Sequence, residues 1–181
     1  MRFPPIAREQ WSESQRRVAE EIVSGPRGEL RGPFVPLLHS PELAGHVQKL
    51  GGHIRFGTGI PDNLIEIAVL MTARRFDCAQ IWVSHRVLAA KAGVRDAVIL
   101  AIRDRRRPAA LSEGEAIVFN FCEELARDNA VSDATFERAV GRLGRKGAIE
   151  LAAACGYYAL LAQVLNVAQP PLPPETRPFG V

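Results

Sequence analysis

Between Pro61 and Gly93 the chain has room for little except two helices laid side by side. Ile65, Ile67, Ala68, Val69, Leu70 and Met71 form a nearly unbroken apolar run, and Trp82, Leu88, Ala89 and Ala92 carry a helical stripe further on. Glu66, Cys78 and His85 are set into this apolar material. A carboxylate, a thiol and an imidazole are costly to bury without partners, so they form either a polar core network or a site of chemistry. On one straight helix Glu66 and Cys78 would stand roughly 18 Å apart. They can share a site only if the chain turns between them. Arg74-Arg75-Phe76-Asp77 supplies a turn: the basic pair suits a helix C-terminus, and Asp77 suits an N-cap, with Gln80 closing a capping box. The expected product is a helical hairpin with Glu66 on one arm and His85 on the other. On the second arm Ile81 and Trp82 lie four and three residues before His85 and so neighbour it on the helix surface. Cys78 lies two turns away, about 10 Å along the axis, on the same face but out of contact.

Each of these residues has a plain reading and a chemical one. Glu66 could cap a helix or pair with an arginine. His85 could be a satisfied core histidine. Together, the carboxylate would set the tautomer of the imidazole and raise its basicity, and imidazole ordinarily moves a proton near neutral pH in either direction. Cys78, at the first turn of a helix, is expected to feel the helix dipole and to have a lowered pKa. Without a second thiol beside it, a sulfenic acid is the oxidation product within reach. Cys122 and Cys155 are the other thiols, and no spacing joins either to Cys78. Trp82 reads as a pocket wall or as core. Arg55 is suited to holding a substrate carboxylate with two hydrogen bonds, or to an ion pair at the surface or between subunits. Tyr157 and Tyr158 are further residues that could reach the cleft.

This stretch resembles the carboxymuconolactone decarboxylase and alkylhydroperoxidase D superfamily. In the redox branch a Glu is followed, twelve residues on, by Cys-x-x-Cys-x-x-x-His. Glu66, Cys78 and His85 fall on the Glu, the first Cys and the His, while Ile81 takes the place of the second Cys. In decarboxylase-like members the region reads Tyr-Glu-Trp-x-x-His. Here it reads Gln80-Ile81-Trp82-Val83-Ser84-His85, with Trp82 and His85 matching and Ile81 in place of the Glu. The likeness extends from about Pro33 to Pro173. It implies an all-α bundle of about seven helices around a central hairpin, assembled as a homo-oligomer. It implies His85, Glu66 and Cys78 as catalytic residues and Trp82, Arg55 and Ile81 as substrate-binding ones. The expected activity is proton transfer on a small carboxylated lactone or related organic acid, for which no metal or organic cofactor is required. A thiol peroxidase acting on hydroperoxides is the alternative, and Ile81 weighs against it because a dithiol needs two thiols. A helical oligomer without catalysis is the third reading.

The rest of the chain is consistent with one domain of 181 residues, 47% of them hydrophobic. The net charge of +3, from 23 basic and 20 acidic residues, is too balanced to indicate nucleic acid. Arg103 and Arg105-Arg106-Arg107, followed by Pro108, read as a solvated loop. The N-terminal segment has no apolar signal-peptide core, and no run approaches the roughly 18 apolar residues of a membrane span. Together with three unpaired cysteines, these features give the expectation of a soluble cytoplasmic protein with reduced thiols and no membrane partner. Capping boxes at Ser12/Gln15 and Ser112/Glu115, and Ser40-Pro41-Glu42, open helices. A helix from Ser132 ends at Gly144, and Gly93 ends the His85 helix. Arg27 to Pro36 reads as loop. The last helix, about Lys146 to Val167, is apolar all round, which suggests burial against another subunit as well as in the core. Met1 to Ala7 and the residues after Gln169 read as extended arms. His39, His46 and His53 recur every seven residues, too far apart to chelate one ion.

Overall fold

The computed structural model describes residues 1–172, 178 and 179. Among them are eight α-helices and no strand: α1 (Glu13–Ser24), α2 (Phe34–Leu37), α3 (Pro41–Phe56), α4 (Asp62–Arg75), α5 (Ala79–Lys91), α6 (Asp96–Arg103), α7 (Glu113–Asp128) and α8 (Asp133–Ala168). The starts follow local chemistry. Ser12 with Gln15 and Ser112 with Glu115 close reciprocal capping boxes on α1 and α7, each satisfying two backbone donors that a helix leaves unpaired. Pro41 occupies the first turn of α3. Ser132 caps α8, and Glu124 of α7 ties down that start by accepting from the Ser132 N–H and the Thr135 hydroxyl.

The hairpin is α4 and α5. From Leu64 to Ala73 every residue of α4 except Met71 is buried, because α4 lies between α5 on one side and α7 and α8 on others. The connection departs from the expectation in one respect. Cys78, not Asp77, is the N-cap residue of α5. Asp77 sits in the left-handed region (φ 48°), and its carboxylate faces outward to pair with Arg74 and, at 2.8 Å, with Arg105. Gln80 does not close a capping box; its amide donates to the carbonyl of Pro170 at 2.7 Å. A short polar residue tolerates a left-handed turn, and here that turn, held by two arginines, reverses the chain.

Three other regions refine the reading. α2 forms inside the segment expected to be loop, with Phe34, Pro36 and Leu37 buried. α8 is interrupted at Gly144 (φ 73°, ψ 168°), where the sequence placed a helix end, and continues in the same element. It is long and apolar enough to suit a membrane span, with a mean hydropathy of 1.5 over an 18-residue window, so the expectation that no stretch approaches that length is amended. Half of that window is buried in the bundle, as in a core helix. The N-terminal arm lies on its own chain: the Arg2 N–H donates to the Ala168 carbonyl at 2.8 Å, and the ring of Phe3 meets His39 edge-on. Of the C-terminal tail, residues 173–177, 180 and 181 lie outside the described residues. Phe179 is buried against Trp82, with the Arg74 guanidinium 4.5 Å over its ring.

Candidate functional site

Folding α4 back on α5 brings Glu66 and His85 into contact. His85 Nδ1 donates to Glu66 Oε2 at 2.8 Å, and both residues are buried, at 8% and 9% exposure. With the carboxylate ionised, the proton belongs on Nδ1 and the lone pair on Nε2. One side of the imidazole is packed by α8: the Tyr158 ring meets it edge-on at 5.0 Å, and Tyr157 meets Tyr158 at 5.3 Å. Burial pushes the Tyr158 phenol far above its ordinary range, against a smaller opposing pull from Arg55. Tyr158 is therefore a neutral wall and hydrogen-bonding group at physiological pH.

Two cavities open on this group. One, of about 540 Å³, is lined by His85, Ile81, Ser84, Tyr157 and Arg27 among others. The second, of about 530 Å³, is lined by Glu66, Ile65, Ile60 and Thr58. Arg55, Leu88, Lys91 and Tyr158 belong to both. The volumes suit a small organic molecule. The cations are the distinctive feature of the lining. Arg31 pairs with Glu29 at 3.0 Å, but Arg27, Arg55 and Lys91 have no carboxylate partner among the described residues. Arg27 reaches Tyr157 only at 3.5 Å, and its Nε is buried with no hydrogen-bond partner among the described residues. Asp62 also lines the second cavity and Glu29 the first, but guanidinium and ammonium groups without a carboxylate partner among the described residues, around a partly apolar cavity, favour an anion.

The cavity also explains Gly51. α3 crosses α8 there so closely that a Cβ would lie 1.9 Å from Tyr157 Oη and 2.4 Å from Arg27 Nη2. Gly51→Ala is expected to displace Tyr157 and Arg27 and to cost about 1–3 kcal/mol through overpacking. Urea unfolding would measure the loss, and an unchanged midpoint would show that the crossing is loose.

Of the residues singled out in the sequence, the structure brings Glu66, His85, Arg55 and Ile81 to these cavities, together with Tyr157 and Tyr158. Two others lie elsewhere. Trp82, expected as a pocket wall or as core, is 1% exposed, packs in the core against Phe179 and lines neither cavity. Cys78 is completely buried and lines neither cavity. Burial raises its thiol pKa, and the opposing backbone hydrogen bonds from Ile81 and Gln80 are weaker. The expected lowering by the helix dipole is therefore outweighed by desolvation. His53 does not reach the cavities; it bonds Glu150 at 2.8 Å and holds that carboxyl below its usual range. The arginines at 103–107 are paired with Asp104, Asp77 and Glu123, as a solvated loop would have them. The sequence reading missed Arg27, Lys91 and Gly51. Lys91 ends the helix that bears His85, a signal that was present. Arg27 and Gly51 carried none, because both acquire their place through a contact with α8, more than a hundred residues away.

No protein-family model matches the chain, and no curated protein matches it by sequence. The three-dimensional comparison does find likeness. A crystal structure described as an alkylhydroperoxidase AhpD core, an uncharacterized peroxidase-related protein from Ralstonia eutropha JMP134, superposes with a TM-score of 0.76. The match covers 99% of this chain and 95% of that one at 16% sequence identity. At that identity the likeness is one of fold, and the chain has the all-α, alkylhydroperoxidase D-like fold that the family resemblance implied.

Proposed function

We propose that this protein is an acid–base enzyme of the carboxymuconolactone decarboxylase type, acting on a small carboxylated lactone or a related organic acid. The observation that carries the proposal is the buried His85–Glu66 bond set beside Arg55, which has no carboxylate partner among the described residues. Arg55 holds a carboxylate of the substrate, with Lys91 and Arg27 adding positive potential. The bond between the departing carboxylate and its carbon breaks, CO₂ leaves, and the electron pair passes into the adjacent lactone carbonyl system. His85 in its imidazolium form delivers the Nε2 proton to the carbon, while Glu66 stabilises the imidazolium from the Nδ1 side. Solvent then restores the proton to His85. The carbonyl itself receives the electron pair, so the route calls for no metal or organic cofactor. Leu88, Ile81 and Tyr158 supply apolar walls that strengthen these charge interactions.

Arg55→Ala tests the binding half of the proposal. A charge-assisted hydrogen bond contributes about 1.5–3 kcal/mol. KM is expected to rise by about 10–150-fold in steady-state assays over a panel of carboxylated lactones, with a smaller change in kcat. An unchanged KM would remove Arg55 from the site. A thiol peroxidase acting through Cys78 is disfavoured by the buried, weakly acidic thiol and by Ile81 at the second cysteine position.

Self-association in a soluble, cytoplasmic setting belongs to the same proposal. Ile149 and Val167 on α8 are 68% and 54% exposed, and Leu50 on α3 is 47% exposed. Apolar side chains left open on long helices suit burial against a second copy of the chain. Sedimentation is expected to give a multiple of the 19.8 kDa chain mass; a single species at 19.8 kDa would contradict it.

A further inference from the structure

Met71 and Arg75, one turn apart on α4, and Ala126 of α7 border two further cavities. The first, of about 270 Å³, is mostly apolar. Phe76, Leu125 and Ala152 wall it, and the thiols of Cys122 and Cys155, 3.7 Å apart, belong to the same wall. The second, of about 360 Å³, is lined by Arg74, Arg105, Arg106, Arg107 and Arg127 as well as Arg75, with Ile102 and Phe119. The shared residues join the two into one groove beside α4 and α7, apolar at one end and cationic at the other. None of its lining residues belongs to the two cavities at His85.

The cationic end is crowded. Arg105 is held in the left-handed region (φ 53°), where a side chain carries a backbone cost. It ends α6 in the place that glycine usually takes, with the Arg105 and Arg106 N–H groups donating back to the carbonyls of Ile102 and Ala101. Burial, and after it the charge of Arg105, lowers the pKa of the Arg74 guanidinium against a smaller pull from Asp104. Among the described residues Glu123 is the one carboxylate in the lining, 3.5 Å from Arg107. Asp77, Asp104 and Asp128 pair with Arg105, Arg106 and Arg127 at the surface. Exposed pairs of this kind contribute little, and they leave further guanidinium N–H donors for another acceptor. Arg75 has no carboxylate partner among the described residues. It donates only weakly, at 3.4 and 3.3 Å, to the Leu125 carbonyl and to Asn129.

We propose that this groove binds a phosphate monoester of a short alkyl chain, with the phosphate among Arg75, Arg105 and Arg106 and the chain running past Met71 into the apolar cavity. The head group follows from the number of guanidinium groups. A carboxylate brings one charge and two oxygens, whereas a phosphate monoester brings about two negative charges and three terminal oxygens. It can therefore meet guanidinium groups from several sides at once. The tail follows from the adjoining cavity, whose apolar wall a bare phosphate would leave unused. The site is separate from the Glu66–His85 cavities, and its occupancy does not depend on the reaction proposed for them.

Equilibrium dialysis of the full chain at low ionic strength tests the site, with n-hexyl phosphate, inorganic phosphate and hexanoate as probes. One n-hexyl phosphate is expected to bind per chain. It should bind about tenfold or more tightly than inorganic phosphate, because each buried CH₂ contributes roughly a fourfold gain. It should also bind more tightly than hexanoate, which lacks the second charge. Arg75→Gln and, separately, Arg106→Gln should each weaken n-hexyl phosphate by about tenfold, the scale of one charge-assisted hydrogen bond. Arg55→Gln should leave its affinity unchanged. The Arg106 side chain is 68% exposed, so that variant keeps the fold and decides the matter even if Arg75→Gln does not fold. No binding of n-hexyl phosphate, or equal affinity for it and for inorganic phosphate, would overturn the proposal. So would binding that is lost in Arg55→Gln and kept in Arg106→Gln, which would put the ligand in the cavities at His85.

Discussion

Replacing His85 with alanine is expected to lower kcat/KM on the proposed organic acid substrate by about 10²–10⁴-fold, the usual contribution of a positioned general acid or base. His85 Nδ1 is committed to Glu66 at 2.8 Å, so the second ring nitrogen is the one left to exchange a proton with a ligand in the cavity that His85 lines. Glu66→Gln is expected to produce a smaller loss in the same direction. The amide oxygen can still accept from Nδ1–H, but it no longer supplies a negative charge to stabilise the imidazolium. Cys78→Ser is expected to change turnover little, because the thiol is buried away from both cavities. Steady-state kinetics on the three variants, with circular dichroism to confirm the fold, reads all of these effects. Activity that survived in His85→Ala and vanished in Cys78→Ser would reverse the assignment.

Trp82→Ala is expected to cost about 3–5 kcal/mol of folding stability, the range for deleting a large buried aromatic. Trp82 is among the largest side chains with less than 2% exposure. It contributes to the core beneath α5, and on one side it carries Phe179, whose ring is in turn covered by the Arg74 guanidinium. Removing it opens a cavity and releases that contact with the C-terminal tail. Because a domain of this kind has a total stability of about 5–15 kcal/mol, the variant should unfold at much lower urea. Trp82→Phe should recover part of the loss. A substrate-binding tryptophan would behave differently: stability would hold and KM would rise.

The hairpin was legible because its signals are local. Apolar residues recur at helical spacing from Leu64 onward, and Arg74-Arg75 and Gly93 mark helix ends within a few residues of where they fall. That regularity also put Glu66 opposite His85. The turn between the arms was less legible. Asp77 has the composition of a helix cap, but its left-handed backbone and its pairing with Arg105, a residue of the next loop, depend on tertiary contacts. Desolvation decided Cys78 in the same way: its place at a helix start was readable, but its complete burial was not. Trp82 and Ile81 are adjacent in sequence, yet one faces the core and the other the cavity, and only the packing of α5 against its neighbours separates them. The Cys122–Cys155 pair joins positions 33 residues apart on two helices, a register that no sequence spacing reveals.

The central claim is that His85 moves a proton at carbon within a cationic, partly apolar cavity. Incubation of the protein with carboxylated lactones in deuterated water, followed by mass spectrometry of the product, tests it most directly. The account predicts loss of CO₂ and entry of one deuterium at the carbon that carried it, in the wild type and not in His85→Ala. Decarboxylation with labelling that persists undiminished in His85→Ala, or no labelled product with any member of the panel, would contradict it.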